Sequence, residues 1–239
     1  KNLIATIESQ LNDKRSYTMS RMLRKMCAND PFGIPRLGEK EQVAAITPES
    51  AYAHYQKVLR ESPVELFYVG AADPEIVAKQ VKPLFDGLER SVNTLPAQTV
   101  FASCGGGEHE EIMDVSQAKL AMGFATPITL RDPRFPAMQI CNTILGGGMT
   151  CKLFMNIREK MSLCYDISSG YTGSKGILLV SSGIDFDKDD LVKEQVLTQI
   201  KACCDGDISD EELTAAKEAL CTSLRSTNDS PGSIESYYA

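Results

Sequence analysis

The sequence predicts an α+β protein: helices packed on mainly antiparallel sheets, in two consecutive α/β sandwich units of which the first is incomplete. Three observations predict it. Apolar residues recur at helical spacing in several segments, as in Met19, Met22, Leu23 and Met26. Between these segments lie short apolar or alternating runs bounded by turn residues, the signal of strands. The pattern also breaks at the polar stretch ERSVNTLPAQ, residues 89–98, and then restarts with strands.

Each element follows from local chemistry. Residues 1–28 read as one or two helices, followed by the Pro/Gly-rich loop DPFGIPRLGEKE. Thr47 is placed to cap a helix with Pro48 at its first position, and Ala51, Tyr52, Tyr55, Val58 and Leu59 continue its apolar face. PVELFYVG, Pro63 to Gly70, reads as a buried strand. Asp73-Pro74 then opens a helix through Val77, Val81, Leu84 and Phe85. Beyond the linker, 111–115 and 118–124 read as strands, and a helix follows Asp132-Pro133. A hairpin of 165–171 and 177–184 turns at TGSKG. Two helices close the chain. The last has Ser209 and Glu212 as a capping box, with Leu213, Leu220 and Leu224 as its buried face.

Composition narrows the function classes. The chain has 239 residues, enough for one large domain or two modest ones, and 43% of them are hydrophobic. No apolar run approaches the ~20 residues of a membrane span, so no membrane role is expected. The net charge of −7, without a Lys/Arg cluster, argues against a nucleic-acid surface. The eight cysteines contain no C-x-x-C, and several fall at apolar helical positions. This pattern reads as a reducing, cytoplasmic compartment. The chain opens at Lys1 inside a helical pattern and stops at Ala239 without an evident closing element, which reads as a fragment of a longer protein.

The most informative run is LGGGMTCKLFMNIREKMSLCY, Leu145 to Tyr165. A Gly-rich turn precedes an amphipathic helix whose core stripe is Met149, Leu153, Phe154, Ile157 and Met161. Arg158 lies four residues after Phe154 and should flank that stripe. Leu163, Tyr165 and Ile167 then alternate with polar residues as in a strand. The helix-to-strand reversal can bring the Arg158 guanidinium and the Tyr165 phenol toward one place, and both groups can donate to a carbonyl oxygen or to the oxyanion it becomes. Gly146, Gly147 and Gly148 permit a tight turn and close backbone approach by a substrate.

This block resembles a segment of the insulinase/pitrilysin-type zinc metallopeptidases, in which a Gly-rich turn leads into a helix ending in R-x6-Y. The resemblance covers most of the chain. It implies that 1–90 is the C-terminal part of a first metallopeptidase-like domain and 91–239 a second homologous domain. It further implies that Arg158 and Tyr165 hold the substrate carbonyl at an active site whose zinc is carried by another half of the molecule.

No zinc site is encoded here. The family's motif is H-x-x-E-H with a more distant Glu. The chain has two His. His54 is followed by YQKV, and His109 by EEIM, so Ile112 and Met113 stand where Glu and His are required. Glu8 falls too late to be the distant ligand. His109 reads as a solvated loop residue. Neither GGGMTCK nor GAADPE fits a phosphate-binding turn. Either the zinc motif lies in a missing N-terminal part, or a partner subunit carries H-x-x-E-H and the two form a dimer. The expected activity is zinc-dependent hydrolysis of a peptide substrate, with this fragment alone inactive. The rival reading is a non-catalytic scaffold or peptide-binding subunit.

Overall fold

The computed structural model describes residues 2–93 and 106–238. Cys104 and the latter part of the expected linker lie outside them. By packing, the chain forms two compact units, Lys1–Val43 with Thr99–Leu220 and Ala44–Gln98 with Cys221–Ala239.

The larger unit is organised by an antiparallel sheet of β1 (Ala118–Ala125), β2 (Cys164–Thr172) and β3 (Ile177–Ile184), in the order β1-β3-β2. The central strand β3 is apolar on both faces. Leu178 and Val180 join a core with Leu145, Leu153, Ile157, Ile167, Val192 and Val196. Ile177 and Leu179 turn the other way, toward Met26 and Cys27. This alternation follows from the period-2 geometry of a strand. One face is covered by α2 (Lys14–Met26), which packs on β1; the shorter helices α1 (Asn2–Ser9) and α3 (Lys40–Ala44) precede and follow it in the sequence. The other is covered by α6 (Phe135–Gly146), a π-helix (Leu153–Lys160) and α7 (Asp189–Asp205). The sheet therefore sits between two helical layers, and the observed class is α+β.

Helix boundaries follow their capping chemistry. Asp13 caps α2 by accepting from the Ser16 N–H, and Ser209 and Glu212 form the reciprocal box at α8 (Asp210–Ser226). In α8 the buried residue is Ala216, whereas Leu224 is 54% exposed. A further helix, α9 (Pro231–Tyr238), follows it, so among the described residues three helices rather than two end the chain.

In the smaller unit Thr47 caps α4 (Pro48–Glu61) with Ser50, and Asp73 caps α5 (Pro74–Asp86). After α5 the chain returns to the end of α4, where Ser91 and Asn93 N–H groups donate to the Arg60 and Glu61 carbonyls.

Two expected strands do not form. Residues 63–70 and 111–115 have no ladder. A strand exists only through a partner, and among the described residues no strand pairs with either segment. Val64, Leu66, Phe67, Tyr68 and Val69 are consequently exposed.

An ion pair ties the loop after α2 to the β2–β3 turn. Lys175 Nζ donates to both Asp30 oxygens at 2.8 and 2.9 Å, with the two side chains 11% and 10% exposed. The Lys175 hydrogen bond, together with the Phe32 N–H, holds the Asp30 carboxyl below its ordinary 3.8. Removing Lys175 leaves a shielded carboxylate unpaired, so Lys175→Met should cost about 3 kcal/mol. In a denaturation series, Asp30→Asn/Lys175→Met should lose less than the sum of the single variants. Because the folded pKa of Asp30 is depressed, the pair contributes fully above about pH 4. That contribution is lost as pH falls through the folded value, so the gap between wild type and Asp30→Asn should close in acid.

Candidate functional site

The candidate block begins where α6 ends against β2. A Cβ on Gly146 would overlap the backbone nitrogen and Oγ of Ser169, so only glycine allows this approach. At Gly147 a Cβ would meet Thr143 Cα at 2.7 Å, while at Gly148 it would meet open space. The three glycines line an open hollow of about 350 Å³ together with Met149, Phe154, Ile167, Ser168 and Ser169.

The helix that follows is π-helical, an i→i+5 form rare enough to mark functional positions. Its geometry corrects the expected stripe. Leu153 and Ile157 are fully buried and Phe154 half-buried, whereas Met149 and Met161 are 76% and 47% exposed. Phe154 instead supports Arg158, whose guanidinium lies 4.6 Å from the ring centroid. Ser162, at φ 54°, ends the helix in the left-handed conformation. The Ser162 and Leu163 N–H groups close onto the Arg158 and Ile157 carbonyls, and the chain enters β2.

Tyr165 is the extra residue of a β-bulge. Cys164 pairs with Ile184 and Asp166 with Gly183, which leaves Tyr165 between them without a partner on β3. A bulge re-aims its side chain, and Tyr165 is 58% exposed. Arg158 Nε donates to the Tyr165 carbonyl at 2.8 Å, and Nη1 pairs with Glu159. The structure thus joins the two residues through the Tyr165 backbone. The phenol is engaged elsewhere: its O–H donates to Asp185 Oδ1 at 2.7 Å. Lys188 Nζ in turn pairs with Asp185 Oδ2 at 2.7 Å and donates to the Ser162 carbonyl at 3.3 Å.

The electrostatics follow from these bonds. The hydrogen bond to Asp185, and then the charge of Asp185, push the Tyr165 phenol above its ordinary value. Lys188, followed by the Tyr165 hydroxyl, holds the Asp185 carboxyl below its own. The phenol has one proton. While Asp185 accepts it, the hydroxyl cannot donate to a second oxygen.

Asp185 and Lys188 were not legible as site residues, because their tie to Tyr165 crosses a hairpin and depends on the bulge. Their mutual i,i+3 spacing is the one signal the sequence carries. Lys152 was also missed. Its side chain is 8% exposed and pairs with Glu212 at 3.0 Å, behind the π-helix start.

Among the described residues no group of three His, Cys, Asp or Glu side chains could hold a metal ion. His54 lies on α4 and His109 in an irregular segment, both exposed. The described residues do not fit a zinc site. No helix among the described residues is long and apolar enough to cross a membrane.

Comparison with known proteins agrees with this architecture. Residues 45–220 match the family model described as the peptidase M16 inactive domain. The chain is 31% identical over 93% of its length to the probable inactive metalloprotease YmfF of Bacillus subtilis, covering 52% of that protein. It is 27% identical over 82% of its length to an uncharacterized zinc protease of Rickettsia felis, covering 47% of it. A crystal structure of a conserved protein from Enterococcus faecalis superposes with a TM-score of 0.83 at 28% identity, over 99% of this chain and 56% of that one. The chain belongs to the M16 peptidase family, the insulinase-like family that the Leu145–Tyr165 block resembles. It spans about half the length of the relatives it matches.

Two outcomes follow. Gly146→Ala should destabilise the protein by about 1–3 kcal/mol in thermal or denaturant unfolding, as overpacking does, while Gly148→Ala should fold as wild type. Asp185→Asn should bring the Tyr165 phenol down toward its ordinary 10.0, read by ring-labelled tyrosine NMR with Tyr165→Phe assigning the signal. An unmoved titration would show that the Asp185 bond does not govern the hydroxyl.

Proposed function

We propose that this chain supplies the substrate-carbonyl-binding half of a shared peptidase site. The observation that carries the reading is the bulge at Tyr165, which sets the phenol outward while its own carbonyl anchors Arg158. Arg158 has five N–H donors, and its Nη2 has no partner among the described residues. It would bind the carbonyl of an extended peptide lying over Gly146–Gly148. Tyr165 would join it once its hydroxyl leaves Asp185. Donors aimed where negative charge develops on oxygen lower the barrier to acyl cleavage.

The hydrolytic metal would belong to residues outside this chain. It would lie in an H-x-x-E-H-bearing partner subunit of a dimer, or in the N-terminal half of a longer polypeptide. In this reading 1–90 and 91–239 are consecutive homologous domains, the peptide is the substrate, and cysteines at apolar helical positions without a C-x-x-C suit a cytoplasmic setting.

A second reading is favoured by a specific observation. Arg158 Nε and the Tyr165 hydroxyl both already donate within the chain, and one relative carries an inactive name. In that case the fold serves as a scaffold or peptide-holding subunit. Kinetics on the complete assembly separate the two. Arg158→Ala should lower kcat about 10²–10³-fold, the usual cost of an oxyanion donor. Tyr165→Phe should also lower it, and neither substitution should change zinc content. Wild-type turnover in either variant would remove that residue's role. An assembly without any H-x-x-E-H motif, in this polypeptide or its partner, would leave the scaffold reading.

A further inference from the structure

β2 is an edge strand: β3 pairs with one side of it, and among the described residues no strand pairs with the other. The hollow beside the glycines is lined by three consecutive β2 residues, Ile167, Ser168 and Ser169. Side chains of neighbouring strand residues point to opposite faces, so a hollow that touches all three lies along the edge of β2 rather than over one face. The two faces differ in chemistry. Ile167 and Ser169 turn toward α6 and the π-helix, where Met149 and Phe154 make the hollow apolar. Ser168 turns toward α2, and its Oγ accepts a 2.7 Å hydrogen bond from Arg15 Nη2. No carboxylate takes this guanidinium fully. Asp166 stands 4.0 Å from Arg15 Nη1 and is nearer to Lys119 Nζ, at 3.5 Å. Asp13, two positions before Arg15, accepts from the Ser16 N–H and hydroxyl as the cap of α2. The Arg15 side chain is 53% exposed, and a guanidinium has five N–H donors.

We infer that Arg15 is a specificity-determining residue: the free edge of β2 takes an extended peptide whose acidic side chain pairs with Arg15, while the apolar side chains on either side of it enter the hollow. The inference rests on the reading that an extended peptide lies over Gly146–Gly148, and it names the class of peptide. A strand added to a sheet edge is held by backbone hydrogen bonds and selected by the pockets that its alternate side chains meet. The residue opposite Ser168 has its Cβ about 5 Å from that of Ser168 and on the α2 face, within reach of the guanidinium. Its two neighbours turn to the other face, toward Met149 and Phe154. An Arg–carboxylate pair can form two parallel, charge-assisted bonds. Arg15 gives up no stronger bond to make it, since its present acceptor is a neutral hydroxyl. Arg158 stands over the Phe154 ring, so the contact to the peptide carbonyl and the contact to the acidic side chain are separate.

The test is equilibrium binding to the intact chain, read by fluorescence anisotropy. Two labelled, end-blocked peptides are compared that differ in one residue, Glu or Gln, set between two Leu. The Glu peptide should bind about fivefold tighter, the scale of a partly exposed ion pair, and the difference should fade in about 1 M salt. Arg15→Gln should bring the two peptides level, and Arg15→Lys should keep part of the preference. Arg15→Glu should reverse it in favour of a peptide with Lys at that position. Each readout is a ratio between two peptides on one protein, so partial unfolding of a variant lowers both alike. Arg158→Gln should weaken both peptides equally and leave the ratio unchanged. If Arg158→Gln alters neither affinity while Arg15 still sets the ratio, the carbonyl-binding reading fails and this inference stands. Equal affinity for the two peptides in the wild type, no binding of either, or a preference that survives Arg15→Gln overturns the inference.

Discussion

No side chain fits on Gly146, because β2 runs directly beneath it. The main chain at the end of α6 is pressed onto Ser169, whose Oγ donates its one proton to Asn142 Oδ1 at 2.8 Å, with the Asn142 carbonyl at 3.2 Å beside it. From this contact the chain has only a short path to return as β2 itself. It takes that path as a turn and a two-turn π-helix whose Leu153 and Ile157 fill the core beneath. The wider winding, the left-handed Ser162 and the bulge at Tyr165 all lie along one stretch. Each is a departure from regular structure, and each helps reverse the chain in little space. Such departures persist only where the surrounding packing over-determines them. Here the buried apolar residues on both sides of the reversal supply that packing.

Arg158 is held by the same reversal. The bulge leaves Tyr165 without a residue opposite it on β3, and the guanidinium donates to its carbonyl. That bond, although at the surface, gives the arginine a structural place besides any contact with a ligand. The Phe154 ring beneath it also lines the hollow beside the glycines. A peptide entering that hollow would therefore meet an apolar floor and a fixed cation at once.

Much of this was legible in the sequence wherever a local rule decides the outcome. The caps at Thr47, Asp73 and Ser209 and the hairpin around TGSKG depend on neighbouring residues alone. The strand expected at 63–70 depends on a partner strand, and apolar content without that partner leaves an exposed extended run. The stripe assumed one helix wound at 3.6 residues per turn from Met149 to Met161, whereas the π-helix spans only Leu153–Lys160, which leaves Met149 in the preceding turn and Met161 just past its end, both at the surface. Leu224 was expected inside by the same periodicity, yet α8 buries Ala216 and leaves Leu224 in solvent. Arg158 and Tyr165 were visible through their spacing. The bond that occupies the phenol was not, since Asp185 lies 20 positions on and reaches Tyr165 only because the bulge turns it outward.

That occupied phenol bears on both functional readings. A hydroxyl donating to a carboxylate is already in a strong, charge-assisted bond, and a neutral peptide carbonyl is the weaker acceptor. A bound ground-state peptide would not draw the proton away from Asp185. An oxygen gaining negative charge competes on better terms, because its bond strengthens as the charge develops. Lys188 shifts the balance the same way, since by neutralising part of the Asp185 charge it weakens the resting bond. In the proposed peptidase half, the tyrosine would stay with Asp185 in the resting chain and transfer its bond only as an oxyanion formed. In a scaffold subunit no such oxyanion arises, and the same Tyr165–Asp185–Lys188 chain would remain closed as a brace across the β2–β3 end of the sheet.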